Sequence, residues 1–161
     1  MDSDVSNLGS NLDDLYREII LDHYRSPRNR GELESPPAIR VEGFNPLCGD
    51  EIVVYLDVED GVLKNIKMVG SGCSISQSSA SLMSAAVKGK PLEHVRETIA
   101  TFKQLMTVQE ATLAHDGEPP KVDLRALGEL AALQGVIKFP VRIKCATLSW
   151  NTLVQGLDEL N

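Results

Sequence analysis

The sequence predicts an α+β fold: a small antiparallel three-stranded sheet packed against several helices. Two observations predict it. In the stretch "EIVVYLDV" the apolar residues Ile52, Val54, Leu56 and Val58 recur at a period of two, whereas on both sides of the strand-rich region the period becomes helical. The strands also fall in one run and most of the helices in another, rather than alternating as in a parallel α/β fold. The 161 residues, 42% apolar and 24% charged, fit one domain over 1–161, which at that length buries roughly two-thirds of the unfolded chain's surface.

Taken in order, residues 1–10 are expected to form a flexible tail. "NLDDLYREIILDHYRSP" then places Leu12, Leu15 and Ile19 on one helical face, with Asp13 and Asp14 in the first turn and Pro27 beyond the end. "ELESPPA" reads as loop, and "IRVEGF" opens the strands. After "EIVVYLDV", the turn "EDG" leads into "VLKNIKMVG", so Cys48 falls in the connection between the first two strands and Cys73 just past the third. From Ser74 the spacing is helical, with Ile75, Ser79, Leu82 and Ala86 on one face until Gly89 and Pro91 stop it. A third helix runs through Val95, Ile99, Phe102 and Met106. "TLAHDGEPPK" breaks the pattern as an exposed insertion. "VDLRALGELAALQG" forms a short helix that Gly135 closes, and the last helix carries Ala146, Trp150, Leu153, Leu157 and Leu160 on one stripe.

Charge narrows the function classes. With 16 basic and 23 acidic residues, the net charge of −7 repels phosphate backbones and anionic membrane surfaces, which argues against nucleic acid or membrane as partner. The opening "MDSDVSNLGSNLDD" lacks the basic and apolar regions of a signal peptide, and no apolar run reaches membrane-spanning length, so a cytoplasmic location is expected. In that reducing compartment three cysteines do not read as a disulfide framework. They are metal ligands, nucleophiles or packing.

Chemistry concentrates around those cysteines. In "NPLCGDE", Gly49 allows the backbone to bend so that Cys48 and Asp50, both good zinc ligand types, face one ion; an ordinary turn is the alternative. In "GSGCSISQSSAS", Gly70 and Gly72 let the chain turn out of a strand, and Ser74 and Gln77 have capping-box spacing. Cys73 at a helix start would favour thiolate, although a small buried cysteine at a tight corner fits as well. In "FPVRIKCATLSW", Cys145 also enters a helix behind Arg142 and Lys144, or else it tops the apolar stripe. Three thiols and one carboxylate make a tetrahedral set, yet the gaps are long and no C-x-x-C pair is present. Of the histidines, His23 is read as structural in the last turn of the first helix, and His94 and His115 as solvent-facing.

"NPLCGDE", "GSGCSISQSSAS" and "RIKCATLSW", with "DHYRSPRNRG" near the N-terminus, resemble the motifs of the SufU and IscU family of iron–sulfur assembly proteins, from about Leu12 to the last helix. The inserted stretch Ala111 to Val122, and Lys144 where the IscU branch carries a histidine, favour similarity to the SufU branch. That resemblance implies a zinc-dependent sulfurtransferase accepting persulfide sulfur from a SufS-type cysteine desulfurase, with downstream SUF scaffold proteins as further partners. It implies Zn2+ held by Cys48, Asp50, Cys73 and Cys145, with Cys48 as sulfur acceptor once a partner side chain, such as a histidine, takes its place on the metal. Arg142 matches a basic position beside the site, where it would offset the excess negative charge of three thiolates and a carboxylate on one zinc. A surface arginine in a solvated loop is its plainer reading. The alternatives to a sulfurtransferase are a scaffold that builds an iron–sulfur cluster on the same cysteines and a structural zinc module.

Overall fold

The computed structural model describes residues 5–46, 49–107 and 127–160. Helix α1 spans Val5–Arg25 and is followed by strands β1 (Ile39–Asn45), β2 (Asp50–Glu59) and β3 (Val62–Ser71). Helices α2 (Ser74–Val87) and α3 (Leu92–Met106) come next, then a 3-10 helix (Gly128–Lys138) and a final helix α4 (Pro140–Asp158). The α+β class, with one three-stranded sheet and several helices, is therefore the observed one.

The strands form a meander in the order β1-β2-β3, antiparallel throughout. Asn45 pairs with Asp50 and Glu59 with Val62, so both connections are tight. Alternation sends Ile52, Val54 and Leu56 of β2 to one face, joined there by Val41 of β1 and by Ile66 and Met68 of β3. Against them pack Leu82, Met83 and Val87 of α2, Val95, Ile99 and Phe102 of α3, and Ala146, Trp150, Leu153 and Leu157 of α4. At the centre the Trp150 indole lies flat on the Phe102 ring, with centroids 4.1 Å apart and planes 9° from parallel.

Three elements differ from expectation. α1 is already helical from Val5, ahead of the Asp13–Asp14 pair expected to open it. It does not dock by Leu15, which is exposed, but through its C-terminal half, where Ile19 and Ile20 reach the core and His23 is buried. His23 Nδ1 lies 2.7 Å from the Ser81 hydroxyl on α2, and Nε2 lies 3.9 Å from Glu129 of the 3-10 helix. The histidine therefore joins three elements, which agrees with a structural role; His94 is exposed. Gly135 does not close the segment before α4, because the 3-10 helix continues to Lys138 and ends at Phe139. Leu160 lies beyond the end of α4 and is partly exposed instead of completing the stripe. The insertion Ala111 to Val122 and His115 lie outside the described residues. Among the described residues, no helix is long and apolar enough to cross a membrane.

Candidate metal centre

The sheet's end and two helices bring three ligand atoms together. Asp50 opens β2, Cys73 stands directly before α2, and Cys145 lies in α4. One carboxylate oxygen and the two Sγ atoms all fall within 4.8 Å of one another. Local sequence makes this possible. Gly49 takes a left-handed backbone with φ of 71°, and its N–H is donated to the Asn45 carbonyl at 2.9 Å, which returns the chain tightly into β2 at Asp50. Gly72 lies so close to Asp50 that a Cβ there would overlap Oδ1 and meet Ser76 Oγ at 2.6 Å. Only a residue without a side chain lets β3 turn into α2 against the carboxylate.

Asp50 is fully buried, and its two oxygens have different surroundings. Oδ1 accepts the backbone N–H of Cys73 at 3.0 Å, whereas Oδ2 has no hydrogen-bond partner among the described residues. The carboxylate thus caps α2 from a neighbouring strand, where the helix dipole favours negative charge. This replaces the expected capping box: Cys73 rather than Ser74 is the N-cap, and it makes no side-chain cap of its own. A buried carboxylate oxygen with no donor is costly unless a cation meets it. Tetrahedral zinc, with bonds of about 2.0 Å to oxygen and about 2.3 Å to sulfur, spaces its donors about 3.5–3.8 Å apart, so atoms that lie within 4.8 Å of one another need draw in by no more than about 1 Å to share the ion. The two thiols and the orphaned oxygen fit that ion by donor type and supply three of the four positions of a tetrahedral site.

The cysteines differ in access. Cys73 is half-buried, while Cys145 is 1% exposed. Cys145 does not enter its helix at the start, as its motif suggests. α4 begins at Pro140, so the thiol sits in the second turn, and its Sγ lies 3.7 Å from the Val141 carbonyl one turn back. Arg142 correspondingly stands in the first turn of α4, exposed, rather than in a loop. Cys48 lies outside the described residues, between Pro46 and Gly49. On the elements that carry the donors, Phe139 and Val141 at the start of α4 are each more than half exposed, as is Phe44 near the end of the neighbouring strand β1.

One buried polar residue between the two cysteine-bearing helices was not singled out by its motif. Ser79 of α2 is completely buried, donates its hydroxyl to the Ala146 carbonyl at 2.6 Å, and accepts the Trp150 indole N–H at 3.0 Å. The signal was its place on the buried stripe of α2, since a hydroxyl there must find a partner.

A small α+β fold that gathers two thiols and a carboxylate from distant segments is the arrangement of a thiolate metal site. The chain belongs to the family of the NifU-like N terminal domain, whose model matches residues 15–146. It is 42% identical over 151 residues to the zinc-dependent sulfurtransferase SufU of Bacillus subtilis, covering 94% of this chain and 95% of that protein. It is 37% identical over 147 residues to the iron-sulfur cluster assembly scaffold protein IscU of Thermotoga maritima, covering 91% and 95%. Among solved structures, it superposes with a TM-score of 0.74 on FiSufU of Fervidobacterium islandicum AW-1, described as a candidate iron-sulfur cluster assembly scaffold protein for the SUF system. That pair shares 29% identity over 87% of this chain and 94% of the other.

Proposed function

We propose that this chain is a zinc-dependent sulfurtransferase that accepts persulfide sulfur from a SufS-type cysteine desulfurase and passes it to SUF scaffold proteins in the cytoplasm. The observation that carries this reading is the convergence of Asp50 and the Cys73 and Cys145 thiols within 4.8 Å, with one buried carboxylate oxygen left without a donor. Cys48 is the fourth ligand in this reading. Zn2+, when bound, keeps its thiol ligands deprotonated at neutral pH.

The chain's own residues divide the work. Asp50 and Cys73 are tied to one another through the Cys73 N–H, and Cys145 is built into a core helix, so these three stay in place. Cys48, on the connection between Pro46 and Gly49, is the acceptor. Its thiolate attacks the outer sulfur of the desulfurase persulfide; a new S–S bond forms on Cys48, the old one breaks, and the desulfurase cysteine leaves as thiolate. The transferred sulfur keeps its oxidation state, so no external oxidant or reductant enters. Arg142, exposed on the first turn of α4, guides the anionic persulfide.

The likeness to IscU scaffold proteins supports a second reading, in which a cluster is assembled on the same cysteines. Lys144, in place of a further imidazole ligand beside Cys145, favours the first. The test combines metal analysis with desulfurase turnover in the presence and absence of the protein. One zinc per chain, stimulation of turnover, and persulfide mapped to Cys48 by mass spectrometry are expected. A brown, iron-loaded protein, persulfide found chiefly on Cys145, or a Cys48→Ala variant that still stimulates turnover overturns the proposal.

A further inference from the structure

We propose that Ser79 is a positioning residue for the metal centre, its hydroxyl pinning α4 to α2 in the one register that brings the Cys73 and Cys145 thiols together. The inference rests on the zinc reading above. Cys73 and Cys145 share no strand, turn or helix; their separation is set by how α2 and α4 lie against each other. The packing between those helices is made by small and apolar side chains, which attract without direction and tolerate sliding. A metal does not tolerate it, because its bonds to sulfur are fixed to within tenths of an ångström.

Ser79 supplies the missing directionality. Its donor goes to the carbonyl of Ala146, the residue after Cys145, at 2.6 Å, and its acceptor takes the indole N–H of Trp150 at 3.0 Å. Trp150 is in turn held by its stack on Phe102, so one hydroxyl is tied both to the peptide next to the ligand and to a fully buried, stacked ring in the core. The other buried α2 serines bond elsewhere: Ser76 donates to the Cys73 carbonyl at the start of its own helix. Ser78 donates to the Ser74 carbonyl of its own helix, Ser81 meets His23 and the Arg28 N–H on the α1 side, and Ser84 donates to Ser81 and Arg28 carbonyls.

That contrast supplies the control. Ser79→Ala and Ser81→Ala each remove a fully buried, doubly bonded hydroxyl from the same helix, so both should lower the melting temperature of the metal-free protein. Only Ser79→Ala should weaken Zn2+ binding, by about 10- to 100-fold in competition with a chromophoric chelator, and alter the ligand-field bands of the Co2+-substituted protein. Unchanged affinity and Co2+ spectrum in Ser79→Ala, or an equal affinity loss in Ser81→Ala, overturns the proposal. Should Ser79→Ala not fold, Trp150→Phe, which removes the indole donor, is compared with Phe102→Leu, which disturbs the stack alone. The first must cost more Zn2+ affinity than the second, and the reverse order overturns the pin. A wild-type protein that binds no zinc would instead remove the underlying reading, an outcome distinct from either.

Discussion

Asp50 and Cys73 are joined by a hydrogen bond of 3.0 Å from the Cys73 backbone N–H to Oδ1, while Oδ2 of the same buried carboxylate has no partner among the described residues. One side chain therefore has two separable duties, holding the start of α2 and offering an oxygen to a cation. Asp50→Asn keeps an acceptor for the N–H but lacks the charge; Asp50→Ala lacks both. The expected outcome is zinc affinity lowered about tenfold or more in both. The metal-free protein should lose about 1.5–3 kcal/mol only with alanine. Chelator competition and thermal unfolding check the pair. An Asp50→Ala protein with full zinc content and unchanged melting temperature shows that Asp50 is no ligand.

Gly72→Ala should be more damaging than its exposed position suggests. The added Cβ would overlap Asp50 Oδ1 and sit 2.6 Å from Ser76 Oγ, so either the carboxylate or the start of α2 must move. A loss of about 1–3 kcal/mol is expected, together with weakened zinc binding. Denaturant melts and metal titration of this variant beside Gly135→Ala, where a Cβ meets nothing within 4 Å, measure the difference.

His23 makes stability depend on pH. Burial pushes its pKa below the ordinary 6.5, helped by Arg28 and opposed by Glu129 and Asp22. The folded state thus binds fewer protons than the unfolded chain once the pH falls below about 6.5, and the stability contributed by neutral His23 is present above that value and lost beneath it. Melting temperature should decline as pH drops from about 7 to 5. His23→Gln should be less stable at pH 7 and show a shallower decline over that range. An identical slope in the two proteins rules out His23 as the source.

Phe139 and Val141 lie exposed at the start of the helix that carries Cys145, with Arg142 beside them. Surface substitutions of this kind change stability by only about 0.5 kcal/mol, whereas apolar anchors at an interface contribute far more to binding. Phe139→Ser with Val141→Ser should raise the concentration needed for half-maximal desulfurase stimulation about tenfold or more. Arg142→Ala should slow transfer while melting normally. Full stimulation by the double variant at wild-type concentrations would locate the desulfurase contact elsewhere.

The meander and the grouping of Asp50 with Cys73 were legible because they depend on local signals: alternation over "EIVVYLDV", turn residues at Gly49 and Gly61, and a period change after Cys73. The beginning of α4 was not. The motif puts Cys145 at the helix start, but α4 opens at Pro140, since proline is at home in a first turn, where its missing N–H would have no partner anyway. That offset moved Cys145 from a helix start, and Arg142 from a loop, into the helix itself. The exposure of Leu15 was equally hidden, since helical spacing names a face without saying what covers it. Ser79 needed three dimensions: its partners lie 67 and 71 residues away.

Trp150 is the chain's single tryptophan, and its indole N–H ends on the same hydroxyl that reaches the peptide beside Cys145. Nature has thereby placed an optical gauge in the molecule. Ultraviolet emission excited selectively from indole comes from one ring, shielded from solvent, whose hydrogen bond spans the two helices and would register any shift between them. Stopped-flow fluorescence on unlabelled protein can therefore ask whether metal loading moves α2 against α4 or finds them already in register.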